Sequence, residues 1–285
     1  MKIAVHIAFY YRIERLQYLN KIIKEYNSYS IDVDLFIHTN KNINSDILTP
    51  YKNGKIQILK HSLYNFLIYK GTSYYLTWKP RKLIANQVND YDVFLYSEDD
   101  ILIPENAFNY WIENKDICQE KKYNIGFLRI EVKDGEEYLS DLTSKLKNKI
   151  SIRDQEFFLN EKNPYCAFWI YDNDEMRKWT NSDFYDLRVV HGYKEKHSNL
   201  LKILKLDKFL SLNYLIYNLK HKRVDSCMEA SAYGLNYPNI EWFKNTVLKV
   251  KNGQIDPNCR VYHLPNNYVN ETKTDMGTLK FSEIL

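Results

Sequence analysis

Several features that define protein classes are missing from the 285-residue sequence. No apolar run approaches the roughly 20 residues of a membrane-spanning helix, and the apolar stretch at the N-terminus is too short for a secretion signal or an anchor. The eight glycines are scattered and form no glycine-rich phosphate-binding loop. There is no internal repeat, low-complexity stretch or clear linker. We therefore expect one cytoplasmic domain that spans residues 1–285.

Cysteine is rare and the net charge is small. The four cysteines, Cys118, Cys166, Cys227 and Cys259, are far apart and lack the spacing of a metal site. We expect reduced, partly buried thiols, as is usual in the cytosol. The net charge of +4 arises from 40 basic and 36 acidic residues. This balance argues against a protein that coats nucleic acid, so we expect no nucleic-acid partner.

The first third of the chain predicts alternating strands and helices. Apolar residues alternate over residues 2–10 and then follow a helical period over residues 12–27. Further strands are predicted at residues 33–38 and 56–60. This β-α-β order predicts a parallel sheet with right-handed crossovers, in which ligands bind beyond the carboxyl ends of the strands.

The remaining patterns predict a longer series of elements. A loop runs into a helix over residues 73–86, with Pro80 near its first turn. Residues 138–160 show no clear pattern. Other strands are predicted at 92–96, 125–132, 164–171, 247–251 and 260–263, and helices at 105–114, from 174 to 179 and from 225 to 233.

A long helix is predicted over residues 198–220, and most of its polar positions are lysine. We favour a helix that packs on the core and turns a basic face to solvent. The alternative is a helix that lies on an anionic membrane surface, which would place the protein peripherally at the inner face of the membrane.

The strongest functional signal lies in residues 91–104, where an apolar run ends in Glu98, Asp99 and Asp100. Three carboxylates at the exit of a buried strand repel one another and are costly to desolvate. A cation would offset their charge, and oxygen ligands suit Mg²⁺ or Mn²⁺, which commonly bridge carboxylates to substrate phosphates. The alternative is that the acids cap the next helix or face water.

This stretch resembles the acidic motif of GT-A-fold glycosyltransferases. An apolar strand, residues 98–100, further apolar residues, Pro104 and an aromatic helix follow one another, as in the Glu-Asp-Asp form of Golgi N-acetylglucosaminyltransferases and related motifs of bacterial polysaccharide glycosyltransferases. The resemblance covers the order of elements in the first half of the chain, and only the acidic block is residue-specific.

The resemblance implies an α/β fold of the GT-A type. A mostly parallel, Rossmann-type central sheet would be flanked by helices, with a smaller mixed region at the acceptor side. Residues 1–135 would form the nucleotide-sugar-binding half of a single catalytic domain, and residues 136–285 the acceptor-side half.

The resemblance also implies a metal site. Asp100 would bind Mn²⁺ or Mg²⁺, which holds the diphosphate of the nucleotide sugar, while Glu98 and Asp99 would contact the ribose, the sugar or metal-bound water. His263, which follows the last predicted strand, would be a second ligand. A lone histidine near a C-terminus is more often structural.

Nucleotide contacts are implied at the ends of the early strands, at Ala8, Tyr10, Arg12, His38 and Thr39. Lys79 and Arg81 would form a cation pair at the diphosphate. We favour the alternative that Lys79 and Arg81 are surface charges at the start of a helix.

The acceptor side is less well specified. Tyr165 and Trp169 would stack on an acceptor sugar. An inverting enzyme needs a general base away from the metal, and Glu229 or Asp225 would serve. The alternative for Glu229 is a helix-capping box, because Ser226 precedes it by three residues. Asp172 and Asp174 are the next choice.

These expectations combine into a metal-dependent, inverting glycosyltransferase. It would transfer a sugar from a nucleotide donor, with a UDP-sugar favoured, to a hydroxyl of a glycan or lipid-linked glycan. Two other functions stay open. One is a metal-dependent nucleotidyltransferase or phosphohydrolase, and the other is a noncatalytic sugar- or nucleotide-binding protein with a structural cation.

Overall fold

The protein is described from a computed structural model. The structure describes residues 1–62, 74–182, 185, 231–232, 234–236, 246–271 and 273–285. The strands in this part of the chain are β1 (Ile3–Phe9), β2 (Val33–Thr39), β3 (Ile56–Lys60), β4 (Val93–Glu98), β5 (Ile101–Leu102), β6 (Asn124–Ile125), β7 (Leu128–Lys133), β8 (Glu136–Leu139), β9 (Lys149–Ile152), β10 (Gln155–Asn160), β11 (Phe168–Asp172), β12 (Thr246–Lys251), β13 (Gln254–Ile255) and β14 (Arg260–His263).

The α-helices among the described residues are α1 (Leu16–Asn27), α2 (Pro80–Asn86), α3 (Glu105–Gln119) and α4 (Asn173–Thr180). Short 3₁₀ helices span Ile13–Arg15, Ser45–Ile47, Tyr74–Trp78, Gly234–Asn236, Pro257–Cys259, Tyr268–Asn270 and Phe281–Glu283.

The central sheet has the order β11-β4-β1-β2-β3. Strands β4, β1, β2 and β3 are parallel, and β11 is antiparallel to β4. Every residue of β1 and β2 is buried, as expected for parallel strands that are covered on both faces. Helix α1 buries Leu19, Ile22, Ile23 and Tyr26. The α/β fold predicted from the sequence is therefore confirmed.

Two smaller sheets lie beside the central one. The first has the order β13-β12-β10-β9, with β6 pairing with β12, and the second has the order β5-β14-β7-β8. Strand β14 pairs antiparallel with β5, so that His263 is opposite Ile101. This pairing brings the end of β14 to the residue that follows the acidic block.

The predicted strand at 125–132 is wrong as one element. It splits into β6 and β7, which belong to different sheets. The break falls at Gly126, whose N–H donates to the Val247 carbonyl at 2.6 Å. A Cβ at Gly126 would lie 3.0 Å from the Thr246 Cβ, so a larger residue here would press on β12 and require its neighbour to shift by a few tenths of an ångström.

Other boundaries also differ from the predictions. The first helix starts with the 3₁₀ turn Ile13–Arg15 before α1, and α3 continues to Gln119. The unassigned residues 138–160 contain the end of β8 and all of β9 and β10.

Several sequence predictions lie outside the described residues, or only partly within them. The predicted helix at 198–220 and Cys227 are outside, and only residues 231–232 of the predicted helix at 225–233 are described. Cys118, Cys166 and Cys259 are buried free thiols. No helix within the described ranges is long and apolar enough to cross a membrane.

Candidate functional site

A cleft of about 310 Å³ lies at the carboxyl ends of β1 and β4. The register of the parallel strands places Ala8 beside Glu98, so residues that follow either strand reach the same edge of the sheet. The lining comprises Ala8, Tyr10, Arg12, Arg15, Leu76, Thr77, Glu98, Asp99, Asp100, Arg129, Tyr165, His263, Asn267 and Tyr268. The cleft therefore lies where open α/β sheets bind ligands.

Arg15 contacts two of the three acids. Its Nε donates to Asp99 Oδ2 at 2.8 Å, and its Nη2 donates to Asp99 Oδ1 at 2.5 Å and to Asp100 Oδ2 at 2.8 Å. Asp99 and Asp100 are only 4% and 7% exposed. The planar guanidinium is suited to this bidentate contact and offsets part of the buried negative charge.

His263 is held between two carboxylates. Its Nδ1 lies 2.5 Å from Glu131 Oε1, and the Val269 N–H donates to the other Glu131 oxygen at 2.8 Å. Nε2 of His263 lies 3.4 Å from Asp100 Oδ2. Since Glu131 engages Nδ1, the ring presents Nε2 to Asp100.

Glu98 and Arg129 also line the cleft and contact its tyrosines. The Tyr165 hydroxyl donates to Glu98 Oε1 at 3.2 Å. Arg129 donates to both carboxylate oxygens of Asp141, at 2.7 and 2.6 Å. Its guanidinium lies over the Tyr165 and Tyr268 rings, 5.2 and 5.4 Å from their centroids. These contacts hold the Tyr165 and Tyr268 rings in place at the cleft.

The environment separates the acidities of the three carboxyl groups. Burial and the charge of Asp100 raise the pKa of Glu98. Burial also raises the pKa of Asp99, against the opposing effect of Arg15. Although burial alone would raise the pKa of Asp100, hydrogen bonds and charge from His263 and Arg15 lower it below its usual value. Asp100 is thus the acid most strongly held in its ionised form.

Asp100 and His263 are the residues best placed to hold a metal ion. Ligand distances of roughly 2.0–2.2 Å allow one ion to contact a carboxylate oxygen and an imidazole nitrogen that are 3.4 Å apart. Among the described residues, no group of three or more His, Cys, Asp or Glu side chains is arranged as a metal site. The two donors fit an ion that takes its other ligands from water and substrate phosphates, as Mg²⁺ usually does.

The structure brings most of the predicted donor-side residues together. Ala8, Tyr10 and Arg12 line the same cleft as the three acids and His263. Tyr10 and Arg12 also contact each other, with the guanidinium 5.8 Å from the ring centroid. Within the described part of the chain, an aromatic face and a cation therefore lie beside the acidic block.

His38, Thr39 and Lys79 are not among the described residues that line the cleft. His38 and Thr39 are fully buried. Nε2 of His38 lies 3.0 Å from His6 Nδ1, and Nδ1 of His38 lies 2.8 Å from His61 Nε2. The side chain of His38 therefore lies buried in a row of histidines, and the structure does not bring it into the described lining of the cleft.

Arg81 and Trp169 also differ from expectation. Arg81 is buried, and its guanidinium lies 4.2, 4.6 and 4.9 Å from the ring centroids of Trp78, Trp179 and Tyr185. It is therefore neither a surface charge nor part of the described cleft lining. Trp169 is buried and stacks on Tyr96 at 5.6 Å, so its ring is occupied within the core.

The structure does not describe either favoured base, since Glu229 and Asp225 lie outside the described residues. The second choices are described. Asp172 caps α4 in a capping box with Glu175 and contacts Lys115 at 2.7 Å. Asp174 forms an exposed pair with Arg177 on α4. Neither Asp172 nor Asp174 is in the described lining of the cleft.

Three charged residues of the site were missed by sequence reasoning. In the sequence, Arg15 looks like an ordinary basic residue at the start of a helix. Only the need of Asp99 for an opposite charge could have identified it as a site residue. Arg129 and Glu131 had a clearer signal, because charges inside an apolar strand pattern require buried partners. Their partners are far away in sequence, so the pattern alone does not identify them.

No protein-family model matches the chain, and no curated protein is significantly similar to it in sequence.

Proposed function

We propose that the protein is a metal-dependent, inverting glycosyltransferase of the GT-A type. The observation that carries this proposal is the convergence of Asp100 and His263 in a cleft at the carboxyl edge of a mostly parallel sheet. The donor is a nucleotide sugar, with UDP-sugars favoured, and the acceptor is a hydroxyl of a glycan or lipid-linked glycan. With a lipid-linked acceptor, the protein acts in the cytoplasm at the inner face of the membrane.

Different described residues bind different parts of the donor. Asp100 and His263 hold Mn²⁺ or Mg²⁺, and Glu131 orients His263 through Nδ1. When bound, the ion offsets the negative charge that develops on the departing diphosphate. Tyr10 stacks on the base, while Arg12 at the end of β1 contacts the ribose or phosphate.

The acceptor hydroxyl needs a base on the far side of the sugar from the metal. Glu229, with Asp225 as the alternative, has this role in the proposal. Tyr165 borders the cleft and donates to Glu98, so its ring contributes to the wall against which the sugar rests.

A noncatalytic nucleotide- or sugar-binding protein is the second candidate. One observation favours it: Arg15 already contacts both Asp99 and Asp100, so the chain itself neutralises part of the acidic block. In that function a metal is not required, and binding of the nucleotide would be independent of Mn²⁺.

A thermal-shift screen of nucleotide sugars with and without Mn²⁺ separates the two functions. The glycosyltransferase predicts a donor whose stabilising effect needs Mn²⁺ and is lost in Asp100→Asn. Asp116→Asn is the control, because Asp116 is an exposed carboxylate on α3 away from the cleft. Equal donor binding by the wild type and Asp100→Asn, regardless of Mn²⁺, would contradict the metal–diphosphate site.

A further inference from the structure

Arg15 and a metal ion would use the same oxygen atom. Asp100 Oδ2 accepts a hydrogen bond from Arg15 Nη2 at 2.8 Å and lies 3.4 Å from His263 Nε2. An ion bound to this oxygen at roughly 2.2 Å would lie within about 5 Å of Nη2, and two cations that close repel each other. Occupation of the site by a metal is therefore coupled to the position of Arg15.

The contacts of Arg15 are unequal. The bond to Asp100 is single, whereas Nε and Nη2 together bind both oxygens of Asp99. Nη2 carries two hydrogens, so it can release Asp100 without giving up the bidentate pair with Asp99. Nη1 makes no hydrogen bond to any described residue, and Arg15 lines the cleft.

We propose that Arg15 is the resident counter-ion of the acidic block and exchanges for the metal when the donor diphosphate binds. Asp99 is the pivot that keeps the guanidinium in the cleft. On exchange, Asp100 passes from Arg15 to the metal, and the one N–H of Nη2 that is freed turns to the diphosphate together with the N–H groups of Nη1. This inference rests on the proposed function, and it assigns Asp99 to holding Arg15 and not to the ribose or sugar.

The charges of the cleft support an exchange. Glu98, Asp99 and Asp100 are adjacent carboxyl groups, and buried charges of one sign are costly without a partner. Arg129 and His263 also face the block, but each is paired with a further carboxylate, Asp141 or Glu131. The cations of the cleft therefore offset only part of its negative charge, and a divalent ion can offset the rest. Conversely, the entering diphosphate offers the displaced guanidinium an anionic partner of suitable geometry.

The exchange has a thermodynamic consequence. Mn²⁺ alone binds against the charge of Arg15 and offers its guanidinium no new partner, whereas Mn²⁺ with a diphosphate provides one. Metal and nucleotide therefore bind with positive coupling, and each strengthens the other by the same factor. Removal of the guanidinium makes Mn²⁺ binding less dependent on nucleotide.

The test is calorimetric titration of the full chain with MnCl₂, in the absence and presence of UDP. For the wild type, we expect weak Mn²⁺ binding that UDP strengthens by about tenfold or more, within the usual range of coupling between sites. In Arg15→Gln, Mn²⁺ alone binds about tenfold more tightly than in the wild type, and UDP adds less. Arg177→Gln removes one exposed cation on α4 and keeps the wild-type values.

A second variant covers the case in which Arg15→Gln is poorly folded. Arg15→Lys keeps the charge but cannot form the bidentate pair with Asp99. Its Mn²⁺ affinity without UDP should therefore lie between those of the wild type and Arg15→Gln. Equal Mn²⁺ affinity in the wild type and in the Arg15 variants would overturn the exchange and leave the proposed function intact. If no variant bound Mn²⁺ even with UDP, the metal-dependent function itself would be wrong, and the exchange with it.

Discussion

The chemistry of the cleft depends on how single side chains are fixed by distant partners. Asp100 is placed by the exit of β4, but its environment is set by Arg15 and His263, which are 85 and 163 positions away in the chain. His263 in turn depends on Glu131, whose second oxygen is used by the Val269 N–H. The acid, the histidine and its carboxylate partner therefore act as one unit.

Glu131→Gln tests whether the orientation of His263 matters. The amide keeps the size of the side chain but cannot accept hydrogen bonds at both terminal atoms, so it cannot serve both His263 and Val269. We expect Mn²⁺ affinity in the presence of UDP to fall by about tenfold or more, the usual effect of removing a partner of a metal-binding histidine. Titration with MnCl₂ measures it.

Glu136→Gln is the control for Glu131→Gln. Glu136 is exposed on β8 and contacts Lys280 near the surface. Wild-type Mn²⁺ affinity in both variants would show that the hydrogen bond to Nδ1 has no role in the site.

At the scale of elements, three neighbouring parallel strands bring three histidines into one stack, of which two are buried and the third is half-buried. His6 lies on β1, His38 lies on β2, and His61 directly follows β3. His6 also stacks on Phe36, with ring centroids 4.8 Å apart. Burial lowers the pKa of His6 to about 3 and that of His38 well below its ordinary value. The folded protein thus keeps both imidazoles neutral near neutral pH.

This stack predicts loss of stability in mild acid. A histidine whose pKa is lowered on folding stabilises the protein above its unfolded pKa of about 6.5, and this contribution disappears as pH falls toward 3, because the unfolded chain then binds more protons. One such histidine reduces the free energy of unfolding by about 1.4 kcal/mol for each pH unit below 6.5. Urea unfolding at pH 8, 6.5 and 5.5 measures this slope.

His6→Leu separates the stack from other titrating groups. The variant is less stable than the wild type at pH 8, because His38 loses a hydrogen-bond partner. Its further loss between pH 6.5 and 5.5 should be smaller than that of the wild type by about 1 kcal/mol. An identical pH slope in the two proteins would show that His6 does not stay neutral on folding.

Gly277 packs closely against Tyr268 and Val269, which belong to the segment that follows β14. Gly277 has φ +72°, and a Cβ there would lie 2.6 Å from the backbone of Tyr268 and Val269. Tyr268 lines the cleft, and Val269 binds Glu131. Gly277 lies outside the cleft lining but is connected to His263 through three contacts, from Gly277 to Val269, from Val269 to Glu131 and from Glu131 to His263.

Gly277→Ala is expected to weaken both stability and Mn²⁺ binding. The left-handed backbone costs an alanine about 1–2 kcal/mol, and the clash displaces the backbone that orients Glu131. Gly135→Ala is a matched control, because Gly135 has φ +79° but open space around its Cβ position. The control loses similar backbone energy and keeps its Mn²⁺ affinity. Equal effects of the two variants on Mn²⁺ binding would contradict the connection.

At the scale of the whole molecule, the sequence predicts single strands and helices better than it predicts how the strands pair. The alternation of apolar residues over 2–10 predicts β1, and the helical period after Arg12 predicts α1, because both patterns involve residues that are close in sequence. The pairing of β5 with β14 joins residues about 160 positions apart, and no local pattern encodes it. The motif therefore indicated Asp100, while Arg15 and Glu131 became visible only through tertiary contacts.

This assembly predicts where ligand binding should protect the backbone. A donor held by the cleft would lie against several separate parts of the chain, among them three stretches, residues 8–15, 98–100 and 263–268, which meet at one edge of two sheets. Hydrogen exchange with UDP and Mn²⁺ should therefore slow in all three stretches together, because local opening becomes less favourable where a ligand binds. Residues 149–160, which include β9 and β10, supply no residue to the described cleft lining. Their exchange rates should therefore not change when the ligand binds. Protection restricted to 149–160, or to one of the three stretches, would place the ligand elsewhere and contradict a binding site formed by Asp100, His263 and Arg15.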